Sequence, residues 1–381
     1  MAIPLAWRQL TFDRLRFTVA LVGVGFAVML MLMQLGFRHA MLRSAVHYQE
    51  RLAYDLVLVS PKTVFIGLTH PFPRRRLYQS LAVTGVEAVT PVYAYQQHFR
   101  NPWKYNTRNL LVVGIDPDRY VLRTPGIQEN LHLLKQPDVI LFDRRSRPEF
   151  GPVSERFGHE KVEPELAGRR VEVVGLFELG ISFGVDGNVY TSDLNFLRIF
   201  SHRDPGAIDL GLVHLARGAS VRKARDRLEK LLEKDVLVLD RDDFVARELA
   251  YWEGTTPIGY VFGFGLVMGL VVGGIIVYQI LFADVSDHLR EYATLKALGY
   301  SDLALSGVVL QEAVMLALLG FVPGTMLAQL AYSVASSAIR MPVEMHLGRL
   351  VAVLILTIVM CGAAGLVALR KLQEADPADV F

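Results

Sequence analysis

Residues 290–301 read REYATLKALGYS. A hydrophobic run long enough to cross a membrane lies on either side, so a helix-patterned, water-compatible segment stands where a bare loop would connect them. Leu289, Tyr292, Leu295 and Leu298 recur on one helical face, whereas Asp287, Arg290, Glu291 and Lys296 point largely elsewhere. Ser286 is placed to cap the start, and Gly299 offers a left-handed stop after Lys296. The segment reads as a short, complete helix, a structured surface on which a soluble partner can push. A helix lying flat on the membrane is the competing expectation. The amphipathic residues 3–15 are the other surface of this kind.

The flanking runs belong to a wider pattern. Of 381 residues, 52% are apolar and only 20% charged, and the mean hydropathy is +0.32. The excess gathers into four blocks. Residues 17–37, 257–283 and 350–369 carry no Asp, Glu, Lys or Arg, and each reaches the ~20 residues that a spanning helix needs. The fourth block, 303–339, contains Glu312 and the Pro323-Gly324 pair, and is expected to kink or break. Block 17–37 is too long for the core of a signal peptide, so it is expected to stay as an anchor.

Lys and Arg near the spans set the expected orientation. Arg8, Arg14 and Arg16 precede the first span, Arg290 and Lys296 lie between the second and third, and Arg370 and Lys371 follow the fourth. The loop at 340–349 holds Arg340 and Arg349. Both termini are therefore expected in the cytoplasm, with the long section between the first and second spans outside. That section shows strand-like runs at 55–60, 110–113, 139–142, 171–176 and 210–215, and a helical stripe at Val221, Ala224, Leu228, Leu231 and Leu232. The expected fold class is an α-helical membrane protein with four transmembrane helices and a large extracytoplasmic mixed α/β domain between the first and second.

In boundaries, residues 1–16 form an N-terminal amphipathic helix, 17–53 the first span and its extension, and 54–237 the α/β domain. Residues 238–283 form a second extension and span, 284–301 the helix quoted above, and 302–339 the third span. A short external loop at 340–349 leads to the fourth span and C-terminus at 350–381. The extensions keep apolar stripes, Met41, Ala45, Tyr48 and Leu52 on one and Val245, Leu249 and Trp252 on the other, which can pair as a stalk. Gly265, Gly269 and Gly273 recur every fourth residue in the second span, a close-packing face either within one subunit or between two copies.

Enzymatic motifs are missing. No GxxxxGK[ST], HExxH or CxxC occurs, and His159-Glu160 lacks the second histidine of a metal site. Gly23 and Gly25 begin a GxGxxG-like pattern, but inside a span and with Val28 in the third glycine's place. A net charge of +2 points to no nucleic acid, and the single Cys361 excludes an internal disulfide. Glu312 reads either as a relay group or as a polar contact between helices, and Arg74–Arg76 either as a partner surface or as a solvated run.

The segments DVSDHLREYATLKALGYS, PLAWRQLTFDRLRF, LQEAVMLALLGFVPG and RKLQEADPADVF resemble the MacB and FtsX superfamily of ABC transporter permeases. FPRRRLYQ, GNVYTSDLNFLRIF, YWEGTTPIGYVF and VYQILFADVSDHLREYATLKALGY resemble its DevC branch, the permease of a glycolipid-type exporter. The resemblance implies a homodimer, a coupling helix at Leu289, Tyr292, Leu295, Lys296, Leu298 and Gly299, and two copies of a separate ABC ATPase. It also implies a periplasmic adaptor of the membrane-fusion class and a TolC-like outer-membrane channel. No cofactor is expected on this chain, ATP and Mg belonging to the partner ATPase, since only 16 residues precede the first span. An FtsX-like regulator of a cell-wall hydrolase is the alternative function.

Overall fold

The computed structural model describes residues 3–119, 121–255, 257–298, 300–339 and 343–373. Its chain begins with α1 (Ile3–Phe12) and α2 (Arg14–Arg51). There follow β1 (Leu56–Val59), β2 (Phe72–Pro73), α3 (Arg74–Gln79), β3 (Val86–Arg100), β4 (Thr107–Ile115), β5 (Val139–Asp143) and α4 (Val153–Arg156). Next come β6 (Glu165–Leu166), β7 (Arg169–Arg170), β8 (Glu172–Phe177), β9 (Asn188–Ser192), α5 (Asp193–Ile199), β10 (Ala207–Ile208), β11 (Leu210–Leu215), α6 (Val221–Leu231) and β12 (Leu237–Leu239). Helices α7 (Arg241–Gly254), α8 (Ile258–Asp287), α9 (Leu289–Ala297), α10 (Asp302–Ile339) and α11 (Leu347–Gln373) close the described chain. Two compact units result, Met1–Ala40 with Pro257–Phe381, and Met41–Thr256.

The first unit is helical, and α2, α8, α10 and α11 are long and apolar enough to cross a membrane. Its core is made of small and branched side chains, among them Val24, Ala27, Val28, Val277, Ala313, Leu316, Ala317, Ala364 and Ala368. Small residues let the backbones close in, since lipid supplies no hydrophobic drive between helices. At the tightest crossing Gly25 meets Gly320 and Gly324: a Cβ added at Gly324 would stand 2.6 Å from the Gly25 carbonyl oxygen. Pro323 lies inside α10 without ending it, so the third span is one helix rather than a broken pair. At the other end of the bundle the Tyr332 hydroxyl donates to the Leu32 carbonyl, and the Arg349 guanidinium donates to the Glu344 carbonyl at 3.0 Å.

The second unit is built on a sheet ordered β12-β1-β11-β3-β4-β9-β5-β8. β1 pairs antiparallel with β11 and β12, β11 with β3, and β3 with β4, whereas β4–β9 and β5–β8 are parallel. Both faces are covered. Leu56 and Leu58 of β1 point to the face carrying Leu77 of α3, Phe196 of α5 and Leu228 of α6. Val57 and Val59 point to the face carrying Tyr48 and Leu52 of α2 and Phe244 of α7. A strand buried on both sides reads as a continuous apolar run, which is why residues 55–60 stand out.

β3, the longest strand, runs through the middle of the sheet and is absent from the strands expected above. Pro91 and the polar residues 96–98 obscure it in the sequence. Pro91 is tolerated because β4 pairing begins only at Val92, leaving β11 as the single neighbour at that point. The α6 helix stops at Leu231, with Leu232 of the expected stripe as its extended cap, and buries Ala224 and Leu228 while Val221 and Leu231 stay exposed.

Glycine substitutions separate close approach from mere helix membership. Gly324→Ala should destabilise the purified protein by ~1–3 kcal/mol through overpacking against the Gly25 carbonyl. Gly307→Ala, on the same helix with open space around it, should leave the melting temperature unchanged or raise it slightly. Thermal unfolding of both variants in detergent checks the contrast.

Candidate coupling site

The short helix between α8 and α10 starts two residues later than the capping pattern suggests. α8 continues through Asp287 and breaks at His288, and α9 begins at Leu289. Ser286 caps nothing, because its hydroxyl donates back to the Phe282 carbonyl at 2.7 Å. The Gly299 stop lies outside the described residues, as does the side chain of Lys296.

The apolar stripe of α9 faces inward. Tyr292 is 2% exposed and packs with Val285 of α8, Leu305 and Val309 of α10 and Leu369 of α11, with Leu295 laid against them. Its hydroxyl donates to Gln9 Oε1 at 3.4 Å, and burial, together with the carboxylates of Glu312 and Asp284, pushes the phenol above its ordinary range. An amphipathic pattern reports which face is covered but not by what, and here the cover is the membrane unit itself. Leu289 and Leu295 are half-buried on the same side, so the stripe anchors α9 to the spans. Arg290, Glu291, Thr294 and Leu298, the last 73% exposed, form the outward surface.

The start of α2 joins this region. Asp13 caps α2, accepting from the Leu15 and Arg16 amides at 2.9 and 3.2 Å. Arg16 forms ion pairs with Asp287, at the end of α8, and with Asp13 at 3.3 Å. A cavity of about 560 Å3 opens here, with Arg8, Gln9, Asp13, Arg16, Asp284, His288 and Glu291 on its walls. Glu312 is fully buried facing the Asp284 carboxyl.

The glycine row of α8 is filled by the same chain. A Cβ at Gly265 would meet Gln34 of α2 at 2.4 Å, and one at Gly273 would meet Ala27 of α2 at 2.6 Å and Met360 of α11 at 2.7 Å. Gly269 is in ordinary contact with Met31. These three positions therefore serve packing within one subunit.

In the second unit, the end of α2 and the start of α7 are joined by polar chemistry that the apolar stripes did not reveal. Arg241, the first residue of α7, donates to the carbonyls of Gln49, Glu50, Leu52 and Tyr54 at 3.0–3.3 Å, and stacks 4.6 Å over the Tyr54 ring. One guanidinium thus satisfies the orphan carbonyls of Gln49 and Glu50 in the last turn of α2 and those of Leu52 and Tyr54 just beyond it, while the Arg51 carbonyl accepts from the Arg123 amide. Tyr48, Ala45 and Leu52 are buried and Met41 is half-buried, all within the α/β unit. On α7 the covered face is Phe244, Glu248 and Trp252, with Val245 and Leu249 only half-buried beside it. Glu248 was hidden by its charge, although it stands four residues from both Phe244 and Trp252.

The basic run at Arg74–Arg76 divides. Arg76 is buried in ion pairs with Glu233 and Asp235, Arg74 stacks on Tyr78, and Arg75 is exposed. Among the described residues no group of three or more His, Cys, Asp or Glu is arranged to hold a metal ion.

Residues 263–377 match the model of the FtsX-like permease C-terminal family. Over 383 residues the chain is 23% identical to an uncharacterized ABC transporter permease of Mycobacterium tuberculosis (strain CDC 1551 / Oshkosh), with 99% of this chain and 98% of that one covered. The same values hold for an uncharacterized ABC transporter permease of strain ATCC 25618 / H37Rv. Among solved structures, the periplasmic region of MacB from Actinobacillus actinomycetemcomitans aligns with a TM-score of 0.36 at 13% identity, covering 50% of this chain and 90% of that one. The extracellular domain of the noncanonic ABC-type transporter YknZ from Gram-positive bacteria aligns with a TM-score of 0.33 at 13% identity, covering 49% and 99%.

The guanidinium cap is testable by itself. Arg241→Ala should lower stability by about 2–3 kcal/mol, the scale of charge-assisted hydrogen bonds left unmade. Arg241→Lys should recover only part of that, because a point charge cannot reach four carbonyls at once. Denaturant titration of the two variants reads the difference.

Proposed function

We propose that this chain is the membrane subunit of an ABC transporter of the FtsX and MacB type, moved by a separate ATPase that docks on the outward surface of α9. The observation that carries the reading is the short helix between the second and third spans: its apolar side is fastened to three of them through Tyr292, and its polar side is free to meet a partner. A push on such a helix reaches α8, α10 and α11 together. The match at residues 263–377 and the full-length similarity to ABC transporter permeases support the same reading.

In this reading ATP and Mg are bound and spent on the partner, and two copies of the permease work with two ATPase subunits. The α/β unit lies outside the cytoplasm and both termini lie inside. Residues 14–51 form one helix whose turns from Met41 onward belong to the α/β unit, so displacement can pass outward along it. The cargo is an amphiphile such as a glycolipid, handed to a periplasmic adaptor and a TolC-like channel. Nothing among the described residues favours the cell-wall regulator over this exporter.

Two experiments test it. With the buried Cys361 left in place, Lys230→Cys should react with an impermeant thiol reagent from outside, and Arg290→Cys only after the membrane is opened. Equal labelling of both in intact cells overturns the topology. Combined Arg290→Glu and Leu298→Asp should cut recovery of the ATPase at least about tenfold, a loss of ~1.4 kcal/mol or more, without removing the protein from the membrane. Tyr292→Phe, which keeps the inward packing, should co-purify normally. Undiminished ATPase recovery in the double variant removes α9 as the docking surface.

A further inference from the structure

Helices α2 and α8 pack antiparallel along a closed seam. Gly265, Gly269 and Gly273 of α8 lie against Gln34, Met31 and Ala27 of α2 in turn, and Gly23 of α2 lies against Ile276. One helical turn further toward α9 the seam opens. The cavity of about 560 Å3 begins there, with Phe17 and Ala20 of α2 and Ile280 and Leu281 of α8 as its apolar half. The other half is charged, drawn from Arg8 of α1, Asp13 and Arg16 of α2, Asp284 and Asp287 of α8 and Glu291 of α9.

Pairing among these charges is incomplete. Arg16 is held between Asp13 and Asp287, so one guanidinium already answers two carboxylates. Arg8 and Glu291, on different walls, are exposed and make no ion pair among the described residues. Asp284 meets the His288 ring at 3.7 Å and the Glu312 carboxyl. Two guanidinium groups thus face four carboxylates. A wholly anionic ligand meets net negative walls, whereas a ligand carrying both a phosphate and an ammonium group can satisfy Arg8 with one and Asp284 and Glu291 with the other. The apolar half leads on to exposed hydrocarbon-facing side chains, Val19, Val22 and Phe26 on α2 and Val271 and Ile275 on α8. On α1, Trp7 and Phe12 are turned outward, as on helices that lie at a membrane surface.

We propose that this cavity binds one phospholipid with a primary ammonium headgroup, of the phosphatidylethanolamine class, its phosphate on Arg8, its ammonium on Asp284 and Glu291, and its acyl chains over the apolar faces of α2 and α8. A choline headgroup has no N–H to donate to the carboxylates, and a phosphoglycerol headgroup brings no cation. The volume lies within the ~300–1,000 Å3 of small-molecule sites, room for a headgroup and glycerol while the chains stay in the bilayer. The bound lipid touches α1, α2, α8 and α9 together, and so ties the N-terminal helix to the corner that carries α9. Its binding does not rest on ATPase docking, so the site can fail while the docking surface stands.

Native mass spectrometry of the full-length protein, delipidated in detergent and titrated with phosphatidylethanolamine, phosphatidylcholine or phosphatidylglycerol of identical acyl chains, tests the site. One phosphatidylethanolamine should bind at least about tenfold more tightly than either of the others. Arg8→Gln should weaken that binding about tenfold, and Glu291→Gln should narrow the margin over phosphatidylcholine to about threefold or less. Both side chains are exposed, so neither change disturbs the packing. A photoreactive phosphatidylethanolamine, cross-linked to the wild-type chain in nanodiscs and mapped by digestion, should mark peptides containing residues 8–20 and 280–291. Equal binding of the three lipids, tighter binding of phosphatidylglycerol, an unchanged preference in both variants, or cross-links confined to other segments overturns the proposal.

Discussion

A helix that ends inside a protein must still find partners for its last carbonyls, and Arg241 meets that requirement for Gln49 and Glu50 in the last turn of α2. The consequences spread through the α/β unit. With its guanidinium on the carbonyls of Gln49, Glu50, Leu52 and Tyr54, α7 is fixed beside the last turn of α2 from its first residue onward. β12 immediately precedes α7 and is pinned with it, forming the edge strand beside β1. The same placement sets Phe244 against the sheet and brings Glu248 and Arg247 under residues 60–70. One side chain therefore organises an edge of the sheet, a helix pair and a surface crossing.

The helical unit solves a different problem, holding long helices together where water gives no drive for burial. It does so with absences: Gly25, Gly320 and Gly324 at one crossing and Gly265 and Gly273 at another remove side chains so that backbone meets backbone or neighbour. At the turn between α8 and α10, α9 reverses the strategy, inserting a full aromatic ring between three helices. Tyr292 is thus to α9 what the glycines are to the spans, the contact that makes a short segment move with its neighbours.

The spans and the alternation of units were legible in the sequence because both rest on local signals, charge-free runs of sufficient length and apolar stretches bounded by turn residues. β1, β4, β5, β8 and β11 announce themselves as short runs of Val, Leu, Ile and Phe. β3 does not, since its length spans a proline and a polar patch whose tolerance depends on which neighbour it has at each position. The α9 stripe was visible, but its direction was not, because the residues that cover it come from α10 and α11. Glu248 failed for a related reason: a carboxylate on an amphipathic helix is ordinarily assigned to water, and only the Ile66 amide and the Trp252 ring nitrogen, from a distant loop and the next turn, explain its burial. Arg241 gave no signal at all, as its partners are backbone atoms.

The order in which the chain is made gives the α2 cap a temporal meaning. Residues 49–54 are synthesised almost two hundred positions before Arg241, and β1 likewise waits for β11 and β12, far downstream. Until then the end of α2 and an interior strand lack the donors and neighbours they will finally have. The α/β unit cannot settle by growing steadily from its N-terminus. It must stay open until its final strand and helix arrive, immediately before α8, so closure of this unit and delivery of the second membrane helix fall together in biogenesis. Loop-closure entropy over that distance makes the step slow relative to local helix formation.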